Sequence, residues 1–338
     1  MPASIPCLAV SNNKGGVGKT SIANTLGEYL CYKKGLRVAL VDLDESQSLV
    51  RITIPTEKVI GHGLMPKENP FLLSLDQNDP DVKEYLSSYN LRSTLADLFV
   101  PGKEVMPYPV LTTGGDLLED DTSVPRVDII PGNREAFRSL LETGPSEREG
   151  TIYSHLVSAT TEDITKHIAR FVSAPELSEM YDIVILDCAP LRTGLFDAAM
   201  RAATHVLCPY VPEIISTEGI PGFIDAFLNA RARRQSGEDR KEPLELVGLM
   251  PNKVDLRYTG PSGHLARMIQ TAETFPDDHF PEELFIRQNI GIINLTSPMS
   301  ERPSPGTVFK LPKSNAARQD MEKCYSFIHE KIFGEPKA

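Results

Sequence analysis

The start of the chain switches cleanly between two hydrophobic periods. Ile5 to Ser11 is an apolar run, and Asn12 to Gly18 is a glycine-rich turn. Lys19 to Lys34 then places Ile22, Leu26, Tyr29 and Leu30 on one helical face before Gly35 stops it. Leu36 to Val41 is a second apolar run, ending in Asp42-Leu43-Asp44. Strands that are apolar throughout, rather than alternating, are buried on both faces, which predicts a parallel sheet covered by helices. Further buried strands are predicted at 127–130, 183–186, 205–209, 244–250 and 284–286, with helices at 195–203, 219–233 and 316–333 between or after them. The predicted class is therefore α/β, a doubly wound, mostly parallel sheet flanked by helices, as one domain over 1–338. Ten of the 27 prolines lie between Pro55 and Pro145. They break the rhythm and predict an insertion at about 52–125, with a second at about 141–180.

Composition narrows the class. Among 338 residues, 41% are hydrophobic and the formal net charge is −11, which excludes a protein that coats nucleic acid with its whole surface but leaves room for a local basic patch. No apolar run approaches the roughly 18 residues that span a bilayer, and the first residues lack the pattern of a signal peptide. The five cysteines are scattered, without metal-ligand spacing, as expected of reduced thiols in a cytoplasmic protein.

The chemistry concentrates in Asn13-Lys14-Gly15-Gly16-Val17-Gly18-Lys19-Thr20, followed by Ser21, at a strand-to-helix junction. Glycines let the backbone turn tightly and aim N–H groups at phosphate oxygens, and the helix terminus adds positive partial charge. Lys19 reaches β- and γ-phosphates and the Thr20 hydroxyl suits Mg²⁺, so this is a nucleotide site. Two strands end in acids that can order a metal shell or a water beside such a loop: Asp42 and Asp44 after one, Asp187 after Ile183–Leu186. Asn252, in Asn252-Lys253-Val254-Asp255, can pair with an adenine edge, although the same four residues read as a guanine motif.

The second lysine at the loop's start, Lys14, resembles the deviant Walker A motif of the ParA/MinD family of P-loop ATPases. The resemblance extends to Asp42–Gln47 (switch I, with Glu45 and Ser46 where Pro and Gln are usual), to Asp187–Pro190 (Walker B) and to Glu218-Gly219. It ends in Pro312-Lys313-Ser314-Asn315 before the last helix. It implies ATP and Mg²⁺ as cofactors, with Thr20, Asp42 and Asp187 around the metal, Asp44 positioning the attacking water, and Lys14 reaching the partner's nucleotide in an ATP-dependent homodimer. ATP rather than GTP follows from this analogy.

The resemblance offers two plans for using such a switch. In the ParA plan the ATP dimer binds non-specific double-stranded DNA and is released by a ParB-like or other cargo-bound stimulating protein, during plasmid or chromosome partition or cargo positioning. Residues 284–338 carry 8 Lys/Arg against 5 Asp/Glu, and Arg287, Arg302, Lys310, Lys313 and Arg318 are the expected DNA contacts. Arg231, Arg233, Arg234, Arg240 and Lys241 form a second basic cluster. In the MinD plan a terminal amphipathic helix binds membrane. The helix after Asp320 has no basic excess on its polar face and reads as a core helix, without membrane insertion. With 13 residues upstream of Lys14, no helix-turn-helix is expected before the loop. The expected protein is a slow, partner-stimulated ATPase, cytoplasmic and nucleoid-associated. A metabolic ligase or iron–sulfur reductase of the same fold would need a substrate site or bridging cysteines that these residues do not supply.

Overall fold

The computed structural model describes residues 5–59, 63–66, 80, 92–99, 104–112, 124–133, 161–190, 194–235, 243–257, 260, 262–289 and 307–334. Its frame is a seven-stranded sheet. The strands in chain order are β1 (Cys7–Val10), β2 (Val38–Leu43), the β3 (Thr56–Val59) and β4 (Gly63–Pro66) hairpin, β5 (Tyr108–Thr112), β6 (Arg126–Ile130), β7 (Ile183–Cys188), β8 (His205–Tyr210) and β9 (Glu245–Pro251). The sheet order is β5-β6-β2-β7-β1-β8-β9, parallel except for β5, which runs antiparallel along β6 at the edge. The hairpin stands apart as a separate two-stranded sheet.

Every residue of β1, β2, β6 and β7 is buried, so the apolar runs of β1, β2 and β7 match cover on both faces, while β6 buries an Arg126–Asp128 pair among its apolar residues. Successive residues feed opposite cores. Ala9, Val41, Leu186 and Cys208 pack with α3 (Thr161–Val172), α5 (Gly194–Ala202) and α7 (Ile220–Gln235) on one side. Leu8, Leu40, Ile185 and Leu207 pack with α1 (Lys19–Lys34) and α9 (Ala316–Phe333) on the other. Short helices α2 (Ser48–Thr53), α4 (Pro175–Met180) and α6 (Ile214–Thr217), with α8 (His264–Thr274) and 3₁₀ turns at Leu95–Phe99 and Val308–Lys310, complete the described elements.

The doubly wound class and both long helix spans are as expected. Helix α1 ends where Gly35 adopts φ 69° and its N–H closes onto the Cys31 carbonyl, and α9 starts where the Asn315 side chain accepts from the Arg318 N–H. The apolar side of α9, Met321, Cys324, Tyr325 and Ile328, is buried, in line with a core helix.

One strand expectation fails. Residues 284–286 form no strand; the Ile286 and Gln288 N–H groups donate to the Pro251 and Val254 carbonyls, the Val254 N–H donates to the Ile286 carbonyl, and one bridge joins Val254 to Arg287. With Pro281 just before it and the chain turning at 282–283, the segment is too short for a ladder. The two expected insertions lie partly outside the described residues. Within them, β5 joins the main sheet, and α3 packs along α5 with Ile168 and Val172 in the core.

Parallel sheets bind ligands outside the carboxyl ends of their strands, where the strand order reverses. Here the chain leaves β1 for β2 on one side and later returns to β8 on the other, so the loop after β1 sits at that crevice.

Candidate nucleotide site

The loop after β1 is anchored by buried groups. The Ser11 N–H donates to the Leu207 carbonyl at 2.9 Å. The Asn12 amide donates to the Pro209 carbonyl at 2.8 Å, and its Oδ1 accepts from the Lys14 N–H at 2.9 Å. Asn12 is fully buried, and nothing in the sequence pattern singled it out. Gly219 approaches it from the other side: a Cβ there would lie 3.5 Å from Asn12 Oδ1, which puts the Glu218-Gly219 turn against the loop's base.

Gly16 and Gly18 adopt φ of 78° and 95°, which L side chains rarely reach. Gly18 has a second constraint, because a Cβ on it would stand 2.4 Å from Asn252 Nδ2. Gly18→Ala therefore combines backbone strain of about 1–3 kcal/mol with a collision. The expected outcome is a lower melting temperature together with a loss of nucleotide affinity of tenfold or more, read by calorimetric titration with ATP.

Lys19 is buried, and its ammonium donates to the Lys14 carbonyl at 3.0 Å. Burial pulls its pKa down, opposed chiefly by Asp187. Lys14 differs from Lys19: its peptide is held at both ends, but its side chain is exposed. Asn13, Gly15, Val17, Thr20 and Ser21 complete the loop and the first helical turn as expected, with Val17 buried.

Asp42 and Asp187 are register partners at the carboxyl ends of β2 and β7, and both are fully buried. Asp42 is occupied. Its two oxygens accept from the Asp44 N–H at 3.1 Å and the Val50 N–H at 3.2 Å, so it organises the turn that carries Asp44. Burial and the facing Asp187 push its carboxyl well above the usual range. Asp44, half-buried, accepts from the Ser46 N–H at 2.9 Å. Gln47 closes the turn in a left-handed conformation, φ 53°, with its amide on the Gly132 carbonyl at 2.6 Å.

Neither oxygen of Asp187 has a satisfying hydrogen bond. Burial pushes its carboxyl up to about 7, with the neighbouring Thr20 hydroxyl and Lys19 opposing and Asp44 adding to the shift. A buried carboxylate with unsatisfied oxygens, next to a hydroxyl and an ammonium, is a donor set that suits a hard divalent cation shared with phosphate oxygens. Cys188, whose thiol burial pushes far above its usual range, is inert packing.

Asn252 is buried and donates its amide to the Val17 carbonyl at 2.8 Å; the next residue, Lys253, donates to the Gly16 carbonyl at 2.7 Å. The Asn252 amide nitrogen is thus committed to the loop, where the sequence suggested an adenine edge.

The model of the CobQ/CobB/MinD/ParA nucleotide binding domain matches residues 8–292, from β1 through the Arg287 bridge. The chain belongs to this family. Among the relatives of this ParA-containing family, IncC of Escherichia coli is 25% identical over 289 residues, covering 84% of this chain and 59% of that one. Soj of Bacillus subtilis, a sporulation initiation inhibitor protein, is 23% identical over 220 residues, covering 64% and 63%. The chain spans about half the length of several curated relatives that it matches, 42% in the case of one from Sinorhizobium fredii. Solved structures share the fold: pnob8 ParA at TM-score 0.58 and 18% identity, covering 97% of this chain and 96% of that one. McdA of Cyanothece in an ATP complex superposes at 0.60 and 15%, covering 99% of each.

The expected DNA residues separate. Arg287 pairs with Asp320 (Nε to Oδ2, 2.5 Å), and Arg318 is buried, held by Glu322 and the Leu311 carbonyl. The Arg318 guanidinium is thus spent inside the protein, which corrects its reading as a surface contact, whereas Arg287 is paired but still partly exposed. Lys313 is exposed, the Lys310 side chain is not among those described, and Arg302 lies outside the described residues. In the second cluster Arg231 and Arg233 are exposed, Arg234 is buried against the carbonyls closing α5, and Arg240 and Lys241 lie outside the described residues.

Proposed function

We propose that this chain is a ParA-type ATPase that dimerises on ATP, binds non-specific DNA and drives partition or positioning of a cargo. The observation that carries the proposal is Lys14: a lysine whose backbone is locked into the phosphate loop while the residue stands exposed. A cation so placed serves a phosphate outside its own subunit.

Within one site, the loop N–H groups and Lys19 bind and neutralise the phosphates. Thr20 and Asp187 would hold Mg²⁺, which supplies charge neutralisation at the β- and γ-oxygens when bound. Asp42 holds the turn, and Asp44 accepts a proton-bearing partner, the attacking water, at the edge of the site. Lys14 of one subunit completes the charge at the other's γ-phosphate. Turnover is slow until a cargo-bound, ParB-like protein stimulates it. Similarity to Soj, IncC and pnob8 ParA supports this plan. The buried apolar side of α9 supports DNA over membrane as the surface. Among the described residues, no helix is long and apolar enough to cross a membrane. On the DNA face we retain Lys313, Lys310 and Arg302.

The test is binding to an arbitrary duplex with ATP, ADP or no nucleotide, at about 0.1 M salt and above. Binding is expected only with ATP, without sequence preference, and falling steeply with salt as counterions are released. ATP hydrolysis without DNA binding in any state, with ATP-dependent binding to anionic vesicles instead, would establish the MinD-like plan.

A further inference from the structure

Two side chains from a distant loop grip the phosphate loop by its carbonyls. Asn252 Nδ2 lies 2.8 Å from the Val17 oxygen and Lys253 Nζ lies 2.7 Å from the Gly16 oxygen, across more than 230 residues of chain. A trans peptide is planar, with its C=O and N–H pointing in opposite directions. Holding the Gly16 and Val17 carbonyls toward the 252–253 loop therefore turns the N–H groups of Val17 and Gly18 the other way. Among the described residues, no hydrogen bond engages those two N–H groups. They are two of the donors that a phosphate needs, aimed before it arrives.

The grip is built rather than incidental. Lys253 adopts φ 54°, an uncommon conformation for a lysine, immediately after β9. The Asn252 N–H bonds to the Tyr210 carbonyl at 2.7 Å, and the Val254 N–H and carbonyl bond to Ile286 and Gln288 at 3.0 Å. The loop is thus tied on both sides while it reaches inward. Gly18 fits against Asn252 only because it lacks a Cβ. Burial lowers the Lys253 pKa and Glu213 opposes this.

We propose that Lys253, with Asn252, is a positioning residue that preorganises the phosphate loop, acting on the triphosphate through the Gly16 and Val17 peptides and not on the base. This rests on the reading of residues 13–20 as the nucleotide site. Preorganisation removes the ordering cost from binding, so its loss weakens every ligand that uses the loop by one common factor.

The experiment compares wild type, Lys253→Met and Lys253→Arg by calorimetric titration with Mg²⁺ and three probes: ATP, UTP and inorganic tripolyphosphate. Lys253→Met keeps the stem and removes the donor; Lys253→Arg restores one. Circular dichroism and the melting temperature confirm that each variant folds. The expected result is an equal loss of roughly tenfold for all three probes in Lys253→Met, the cost of one charge-assisted hydrogen bond, with partial recovery in Lys253→Arg. A loss confined to ATP assigns Lys253 to the base and overturns the proposal, as does unchanged affinity for all three. Where tripolyphosphate is too weak to measure, the comparison of ATP with UTP gives the same decision. Failure of wild type itself to bind ATP would instead overturn the nucleotide-site reading.

Discussion

Lys14→Ala will bind Mg-ATP within a few-fold of wild type, yet lose the ATP-dependent dimer and hydrolyse ATP about 10³-fold more slowly. The two halves of this result come from two parts of one residue. Its backbone holds the loop together, the N–H on Asn12 and the carbonyl under Lys19, and alanine keeps both bonds. Its side chain is exposed and contributes nothing to the fold that alanine would remove. A charge delivered in trans at a phosphoryl transition state is worth about 10³–10⁵ in rate, and only a partner supplies it. Light scattering with and without ATP reads the dimer, and single-turnover hydrolysis reads the rate. Mixing sharpens the test. A Lys14→Ala chain keeps a complete metal site, and an Asp187→Asn chain keeps Lys14, so their mixed dimer regains one working site while each variant alone stays inactive. Hydrolysis by Lys14→Ala at the wild-type rate, or no recovery on mixing, removes Lys14 from any role across an interface.

What the sequence disclosed about this site was what is local in the chain. Residues 13–20 are contiguous and their types follow from phosphate chemistry, and the limits of α1 and α9 are written in Gly35 and Asn315 beside them. Strands buried on both faces betray themselves by being largely apolar, which is why the strands β1, β2 and β7 could be anticipated, though not their order in the sheet. β5 could not, because Pro109 interrupts its pattern and an antiparallel edge strand needs only a few bonds to β6. The remaining misses are pairings between distant residues. Arg287 looks like a solvated charge until folding sets Asp320, 33 residues further along the chain, against it. Asn12, Lys253 and the Asn252 amide take their roles from carbonyls on elements remote in sequence. Residue type signals the chemistry a side chain can do, but only topology names its partner.

Asp187→Asn will make the protein more heat-stable without nucleotide and unresponsive to it. The carboxylate is fully buried, without a satisfying hydrogen bond, and its pKa is pushed from 3.8 up to about 7. A raised carboxyl pKa means that the fold prefers the protonated form. The stability contributed by that preference is fully present below pH 3.8 and is lost as pH rises through about 7. At pH 8 the wild type carries the whole penalty of an ionised buried acid, on the order of a few kcal/mol. Asparagine is never ionised, and its neutrality also relieves Asp42, which Asp187 pushes up. The variant's melting temperature should therefore exceed that of wild type by several degrees at pH 8, with the gap closing as pH falls below about 7. Mg-ATP reverses the order. A ligand bound only by the folded state adds about 2.7 kcal/mol at a hundredfold excess over its dissociation constant. Wild type is expected to gain it and the variant, lacking the anion proposed to hold the metal, is not. Thermal scans at several pH values, with and without Mg-ATP, read all four arms. Equal stability of the two proteins at pH 8 would mean that Asp187 is not ionised at a cost in the fold. An undiminished Mg-ATP shift in the variant would place the metal elsewhere.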